Sequence, residues 1–229
     1  MLFRSDMFFD DEIGDEIIPH ARKYYANILL HFSSKVQSLL KDVAKMNLKI
    51  NMICPDHGII WRDNPSKIIQ WYDKWSQQKP EKKVVVIFDS MWKSTAKMAN
   101  YITMGIESED VNVRLMNTRK WHRSDILTEI IEAGAIAVGS PTLNNNIFPV
   151  IADVMTYIKG LKPQNKIVAA FGSYGWSGEA VKILNKEFAE MKLDIIDDGI
   201  KVQYVPDDDD LSRCFDLGVK IAKTLKERL

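Results

Sequence analysis

The arrangement of hydrophobic and polar residues after position 83 alternates between two patterns. Residues 84–88 form a continuous run of mostly β-branched residues, which is typical of a strand buried on both faces of a parallel sheet. Amphipathic helical spacing follows, and the two patterns then alternate to the end of the chain. Further strands are predicted at 111–116, 135–139, 167–171 and about 193–204, and helices at about 95–108, 124–133, 147–160, 178–191 and 209–228. The alternation predicts an α/β fold, a doubly wound five-stranded parallel sheet with helices on both faces.

The first 80 residues have a less regular pattern. Apolar residues recur at helical spacing from Tyr24 to Val43, residues 48–53 form a short strand candidate, and a helix is predicted at 66–76. A polar, proline-containing stretch at 77–82 has the composition of a linker. We therefore predict a boundary near residue 80, with one domain at 1–80 and a second at 81–229.

Composition and charge restrict the class of protein. The 229 residues are 46% hydrophobic and 27% charged, as in ordinary globular proteins, and 31 basic side chains balance 31 acidic ones. This balance provides no basic surplus for a nucleic-acid partner. No apolar run approaches the roughly 20 residues that span a bilayer, and no signal peptide is recognisable, so no membrane partner is expected. Cys54 and Cys214 lie far apart without metal-ligand spacing, which favours a cytoplasmic protein with reduced thiols.

The loop after the first predicted strand is rich in hydroxyl groups. Ser90, Ser94 and Thr95 lie before or within the first turn of the following helix. Hydroxyl groups and the free N–H groups of a helix N-terminus can together bind a phosphate group. An ordinary Ser/Thr helix cap explains the same pattern equally well.

Glycines and aromatic residues follow the third and fourth predicted strands, at 139–146 and 172–178. Tyr174 and Trp176 offer flat faces for stacking on a planar ring, although a structural turn accounts for either loop alone. Because parallel strands end at one edge of a sheet, the three loops together predict a site for a mononucleotide with a large flat ring, which FMN fits. The G-x-G-x-x-G fingerprint of a dinucleotide site is absent after the first strand.

Three segments closely resemble the flavodoxin-like domain of flavodiiron proteins, also called A-type flavoproteins. They are Ser90-Met91-Trp92, residues 139–145 and residues 171–178. Residues 55–62 resemble the segment that ends the metallo-β-lactamase-like domain of that family, and residues 2–8 resemble the segment that carries its bridging aspartate. The resemblance covers essentially the whole chain and implies a flavodoxin-like domain preceded by a partial metallo-β-lactamase-like segment.

The resemblance also implies a cofactor site and part of a metal site. It assigns the FMN phosphate to Ser90, Met91, Trp92, Ser94 and Thr95, in a loop where Lys93 replaces a frequent glycine. It places the flavin ring between Pro141, Thr142, Leu143, Asn144 and Asn145 on one side and Ser173, Tyr174, Gly175, Trp176 and Gly178 on the other. Asp6 and His57 align with two iron ligands. The family's other ligands, in an H-x-E-x-D-H motif and a further histidine, correspond to positions before residue 1, so a diiron centre is expected only if another chain supplies them.

Flavodiiron proteins reduce dioxygen or nitric oxide with electrons that enter through FMN. The resemblance therefore implies an FMN-binding electron-transfer protein with an incomplete diiron site and no catalytic residue of its own. It also implies a small electron carrier such as rubredoxin as partner, and a head-to-tail homodimer. Two alternatives stay open: a flavin-dependent NAD(P)H oxidoreductase, and a non-catalytic interaction module of the same fold. A receiver-type phosphoacceptor is disfavoured because it would need an aspartate at the end of the third strand, where this chain has Gly139-Ser140-Pro141.

Overall fold

The computed structural model describes residues 7–229. The chain divides into two compact units, the first ending at Gln78 and the second comprising Lys79–Leu229. The sequence pattern predicted the boundary near residue 80. None of the helices within residues 7–229 combines the length and the apolar character that crossing a membrane requires.

The second unit is built on a parallel sheet. Its long strands are β1 (Glu81–Phe88), β2 (Asn112–Asn117), β3 (Ala133–Gly139) and β6 (Ile167–Tyr174). They lie in the order β2-β1-β3-β6, and two short strands, β7 (Asp194–Ile195) and β8 (Ile200–Gln203), pair with the free edge of β6. By position in the sheet this is the order 2-1-3-4-5 of flavodoxin-like folds. The predicted doubly wound parallel sheet is therefore confirmed.

Five helices cover the two faces of this sheet. They are α5 (Ser94–Glu107), α6 (Arg123–Ile130), α7 (Pro149–Leu161), α8 (Glu179–Glu190) and α9 (Asp208–Lys226). Helices α5 and α9 share one core with alternate residues of β1, among them Val84 and Val86. Val85 and Ile87, which point to the opposite face, are also fully buried. Burial on both faces explains why β1 is a continuous apolar run and not an alternating one.

The fifth position of the sheet differs from expectation. The pattern predicted one strand at about 193–204, whereas the structure has two short strands with a turn between them. Gly199 in this turn has φ +92°, and a Cβ atom there would lie 2.7 Å from the carbonyl oxygen of Ala170. The Gly199 N–H donates to the Asp197 carboxylate at 2.9 Å. The side-chain hydrogen bond and the positive φ turn the chain away from the sheet at this point.

A short hairpin was not predicted. Strands β4 (Thr142–Leu143) and β5 (Asn146–Ile147) pair antiparallel within the loop that follows β3. The two turn residues, Asn144 and Asn145, have φ values of +51° and +56°. Positive φ at both central positions is the signature of a type I′ turn, which asparagine tolerates better than most residues.

The first unit is mainly helical. Its helices are α1 (Asp10–Ile13), α2 (Ile17–Tyr24), α3 (Ser33–Lys45) and α4 (Pro65–Gln77). A π-helical turn at Tyr25–Leu29 and a 3-10 turn at Leu30–Phe32 join α2 to α3. Tyr25 and Trp75 are buried against each other in its core, with ring centroids 5.6 Å apart.

The strand predicted at 48–53 is wrong. Ile53 forms only an isolated antiparallel bridge with Trp61, and residues 48–52 have no regular secondary structure. Leu48 and Met52, which an amphipathic strand would bury on one face, are exposed. The apolar residues of this segment therefore do not form a ladder within the part of the chain that the structure describes.

Helices α5 and α9 cross at two glycines. A Cβ atom on Gly105 would lie 2.1 Å from the carbonyl oxygen of Phe215, and a Cβ atom on Gly218 would lie 2.1 Å from that of Ile102. Both clashes are with backbone atoms, which cannot move aside as a side chain can. The close approach of the two helices therefore requires glycine at both positions.

We expect Gly105→Ala to lower the free energy of unfolding by about 2–3 kcal/mol, because the methyl group forces the two helix backbones apart. Gly160→Ala is the matched control, since a Cβ atom at this exposed position of α7 meets no atom of the described chain within 4 Å. The control should be neutral or stabilising by up to about 1 kcal/mol, as for glycine-to-alanine changes in helices generally. Urea denaturation measures both, and equal values for the two variants would contradict the crossing geometry.

Lys166 is a buried amine immediately before β6. Its side chain is 1% exposed, and Nζ donates to the carbonyl oxygen of Ile131 at 3.1 Å. Desolvation lowers the pKa of Lys166 from 10.5 to about 7, although the nearby carboxylates of Glu81 and Glu132 act in the opposite direction. The folded protein therefore loses this proton near neutral pH, whereas the unfolded chain keeps it to a much higher pH.

We expect Lys166 to make the protein more stable as the pH rises from about 7 towards 10. In this window the unfolded chain binds a proton that the folded protein does not, so Lys166 adds up to about 1.4 kcal/mol per pH unit to the free energy of unfolding. Lys166→Met should flatten this slope, and the exposed Lys182→Met should keep it. Urea unfolding at several pH values gives the slopes. The interpretation fails if Lys166→Met has the slope of the unsubstituted protein.

Candidate functional site

A cavity of about 630 Å³ opens at the carboxyl ends of the strands in the second unit. It lies where strand order reverses between β1 and β3, the usual ligand position in open α/β sheets. Four loops contribute to its lining, after β1, β3, β6 and β8. The lining residues are Met91, Trp92, Ser94, Pro141, Thr142, Leu143, Asn144, Asn145, Ser173, Tyr174, Gly175, Trp176, Ser177, Tyr204 and Val205.

Twelve of the fifteen residues that the sequence predicted for the cofactor line this cavity, and Ser90, Thr95 and Gly178 do not. Thr95 is fully buried, and its Oγ1 lies 2.8 Å from Oγ of Ser173, so its hydroxyl joins the loop after β1 to β6. Gly178 immediately precedes α8, and a Cβ atom there would lie 3.1 Å from the Tyr174 ring. The hydroxyl oxygen of Ser90, in the loop after β1, is buried.

The lining includes three residues that the predicted set lacks, Ser177, Tyr204 and Val205. The N–H of Tyr204 donates to the carbonyl oxygen of Tyr174 at 2.7 Å, which joins the end of β8 to the end of β6. Oγ of Ser177 donates to Oδ1 of Asn145 at 3.1 Å and links two of the loops. The predicted last strand ran to about residue 204, so the sequence pattern did not place Tyr204 and Val205 in a loop after β8.

The loop after β1 has the features of a phosphate site. The hydroxyl oxygen of Ser90 is buried and has no hydrogen-bond partner among residues 7–229. Lys93 has φ +71° and ψ −7°, a left-handed conformation that costs a non-glycine residue about 1–2 kcal/mol. Helix α5 starts at Ser94, so its first N–H groups face the same loop and favour an anion.

The expected glycine at position 93 is thus replaced by a lysine that keeps the glycine-like backbone. The loop retains its path despite the substitution, and the lysine adds a positive charge. A cation beside a helix N-terminus increases the attraction for a dianion such as a phosphate monoester.

Two tryptophans stand at the rim of the cavity. Trp92 is 86% exposed and Trp176 is 98% exposed, and they come from the loops after β1 and β6. Exposed aromatic faces at the rim of a cavity are typical of a site that binds a ligand or a partner. Their positions on two separate loops suit the binding of a flat ring.

The loop after β3 is held by side-chain hydrogen bonds. Oγ of Ser140 donates to the carbonyl oxygen of Pro141 at 2.9 Å and accepts from the N–H of Phe148 at 2.9 Å. Oγ1 of Thr142 accepts from the N–H of Ala180 at the start of α8 at 3.3 Å. With the type I′ turn between β4 and β5, these bonds give the cavity one rigid wall.

The predicted metal ligands are only partly described. Asp6 lies outside the described residues. His57 is exposed, and its ring centroid lies 5.8 Å from that of Tyr24, beside a mostly apolar cavity of about 220 Å³ in the first unit. Within residues 7–229, no group of three or more His, Cys, Asp or Glu side chains could hold a metal ion. Iron binding by Asp6 and His57 therefore stays a prediction.

Residues 86–218, more than half of the chain, match the family described as Flavodoxin. The chain belongs to the flavodoxin family. It is 42% identical to a nitric oxide reductase of Moorella thermoacetica, over 96% of this chain and 55% of that protein. It is 41% identical to the rubredoxin-oxygen oxidoreductase of Megalodesulfovibrio gigas, over 100% of this chain and 58% of that protein.

Solved structures give the same result. The rubredoxin:oxygen oxidoreductase of Desulfovibrio gigas superposes with a TM-score of 0.95 at 40% identity, covering 98% of this chain and 57% of that one. The flavodiiron protein of Giardia intestinalis superposes with a TM-score of 0.92 at 30% identity, covering 98% of this chain and 56% of that one. The predicted resemblance to flavodiiron proteins and the flavodoxin-like fold are confirmed. The chain spans about half the length of these relatives.

Family membership makes FMN the cofactor, and the residues at the cavity fit it. Exposed aromatic faces for a ring line the cavity, and the loop after β1 beside it offers a helix N-terminus and the unpartnered buried hydroxyl of Ser90 for a phosphate. A bare phosphate would leave the aromatic rim without a role. A flavin without a phosphate would leave the Ser90 hydroxyl without a hydrogen-bond partner.

We expect Ser90→Ala to weaken FMN binding by at least about tenfold, or about 1.4 kcal/mol, because it removes a hydrogen bond to a charged phosphate. Riboflavin, which lacks the phosphate, should bind the variant as it binds the unsubstituted protein. The stability of the protein without flavin should not fall, since the hydroxyl has no hydrogen-bond partner within residues 7–229. Fluorescence titration with both flavins measures the effect, and equal losses for FMN and riboflavin would contradict a phosphate role.

Proposed function

We propose that this chain is an FMN-binding electron-transfer protein of the flavodiiron type. The observation that carries the proposal is the cavity at the reversal of strand order, with a phosphate loop on one side and aromatic loops beside it. The similarity to oxygen and nitric oxide reductases over nearly the whole chain supports the same assignment.

In this proposal the loop after β1 holds the FMN phosphate. The hydroxyls of Ser90 and Ser94 and the first N–H groups of α5 are its donors, while Thr95 braces the loop against Ser173. The flavin ring lies between the loop after β3, residues 141–145, and the loop after β6, residues 173–178. Tyr204 and Val205 close the cavity on the side of β8.

Bound FMN supplies the redox chemistry, namely the reversible uptake of electrons. The chain orients the ring between rigid loops, excludes water from its faces and sets its potential through stacking and hydrogen bonds. The polar groups that line the cavity beside the aromatic faces include the hydroxyl of Thr142 and the amides of Asn144 and Asn145. These groups are the candidates for hydrogen bonds to the edge of the ring.

The partners follow from the names of the relatives. One relative is a rubredoxin-oxygen oxidoreductase, so a rubredoxin-type carrier is the proposed electron partner. Another is a nitric oxide reductase, so dioxygen or nitric oxide is the proposed final acceptor. Reduction of either would take place at iron held by Asp6, His57 and ligands from another chain. We further propose that the protein is a homodimer. We also propose a cytoplasmic location, which fits the two free cysteines.

We expect the purified chain to bind about one FMN, as for a single preformed pocket, and to accept electrons from reduced rubredoxin. Absorbance titration and stopped-flow bleaching of the flavin measure the two steps, and metal analysis of the same sample measures iron. NADPH alone should leave the flavin oxidised. Absence of FMN uptake would refute the proposal, and bleaching by NADPH would favour a flavin-dependent NAD(P)H oxidoreductase.

A further inference from the structure

A fully buried carboxylate lies directly beneath the phosphate loop. Asp89, the first residue after β1, has no solvent-exposed side-chain surface. Its Oδ1 accepts from the N–H of Ser90 at 2.6 Å and from Nε of Arg119 at 2.8 Å. Its Oδ2 accepts from Oγ1 of Thr118 at 2.8 Å. Three donors therefore satisfy a charge that would be very unfavourable if it were buried alone.

Arg119 reaches Asp89 from the turn after β2. The N–H of Arg119 donates to Oδ1 of Asn117 at 2.8 Å, which orders that turn. Its Nη2 donates to the carbonyl oxygen of Ser90 at 3.2 Å, while Nε pairs with Asp89. The guanidinium also lies 5.8 Å from the ring centroid of Phe148, where the loop after β3 meets α7. The planar guanidinium of Arg119 thus contacts both the loop after β1 and the end of the loop after β3.

The two charged side chains together hold the backbone of Ser90. Asp89 accepts from its N–H, and Arg119 donates to its carbonyl oxygen. With both backbone groups engaged, the orientation of the residue is defined, while its buried hydroxyl has no hydrogen-bond partner within residues 7–229. In the proposed function this hydroxyl donates to the cofactor phosphate.

The charge of Asp89 also matters for an anion. A carboxylate next to a phosphate loop repels a phosphate dianion, and the repulsion is strong in a site that excludes water. Arg119 neutralises this carboxylate with an ion pair of 2.8 Å. Without Arg119, the positive N-terminus of α5 would be opposed by an unneutralised negative charge at the preceding residues.

We infer that Arg119 is a positioning residue for the cofactor phosphate and acts through Asp89 and Ser90. It neutralises the buried carboxylate and holds the Ser90 peptide so that the Ser90 hydroxyl is available to the phosphate. The inference rests on the proposed function, since it assumes that the loop after β1 binds a flavin phosphate.

We expect Arg119→Met to weaken FMN binding by about tenfold and to leave riboflavin binding unchanged, because only FMN carries a phosphate that Asp89 can repel. Lys120→Met is the matched control, since exposed Lys120 carries the same charge in the same turn. It should bind FMN within about twofold of the unsubstituted protein, as expected for a solvated surface charge. Fluorescence titration of each variant with each flavin gives the affinities, and circular dichroism reports folding.

The double variant Asp89→Asn/Arg119→Met identifies the route of the effect. It should recover most of the FMN affinity that Arg119→Met loses, because the carboxylate charge is gone. Equal losses in the single and double variants, equal losses for FMN and riboflavin, or full FMN affinity in Arg119→Met would each overturn the inference. Absence of FMN binding by the unsubstituted protein would instead refute the proposed function, on which the role of Arg119 rests.

Discussion

The register of β1 between its two neighbours is the constraint on which the site depends. Phe88 pairs with Asn117 of β2 and with Gly139 of β3, so these three strands end at the same level. Backbone hydrogen bonds continue one residue further, from Thr118 to Phe88 at 3.0 Å and from Asp89 to Gly139 at 3.3 Å. Loops that leave the sheet at one level can share a ligand. A shift of register would move their side chains to different depths.

The loops are brought together by close backbone contact as well as by register. Ser140 donates its N–H to the carbonyl oxygen of Phe171, and a Cβ atom on Gly172 would lie only 2.1 Å from the carbonyl oxygen of Ser140. The glycine after Phe171 therefore has a steric role in addition to any contact with a ligand. Side-chain bonds complete the arrangement, with Thr95 joined to Ser173 and Ser177 joined to Asn145.

The sequence predicted the parts of this structure that have local signals. Continuous β-branched runs identified β1, and hydroxyl-rich or glycine-rich loops identified three walls of the cavity. The fourth wall, Tyr204 and Val205, follows a strand that Gly199 interrupts, so the apolar pattern there was too short to define its end. The contact between Asp89 and Arg119 had no local signal, because the two residues are 30 positions apart and meet only when β1 and β2 pair. Residues 48–53 show the opposite case, in which an apolar pattern exists without a partner strand among the described residues.

Two buried ionisable side chains, Asp89 and Lys166, lie at opposite edges of the sheet and have different surroundings. Asp89, at the carboxyl edge, accepts three hydrogen bonds, one of them from the guanidinium of Arg119. Lys166, at the amino edge, has one hydrogen bond to a neutral carbonyl oxygen, and burial lowers its pKa to about 7. A buried carboxylate that is paired with a cation and fully hydrogen-bonded can lie beside a ligand. At Lys166, by contrast, desolvation outweighs the nearby carboxylates of Glu81 and Glu132 and favours loss of the proton. At the carboxyl edge the ion pair of Asp89 and Arg119 therefore provides fixed charges beside the loop proposed to bind the cofactor phosphate.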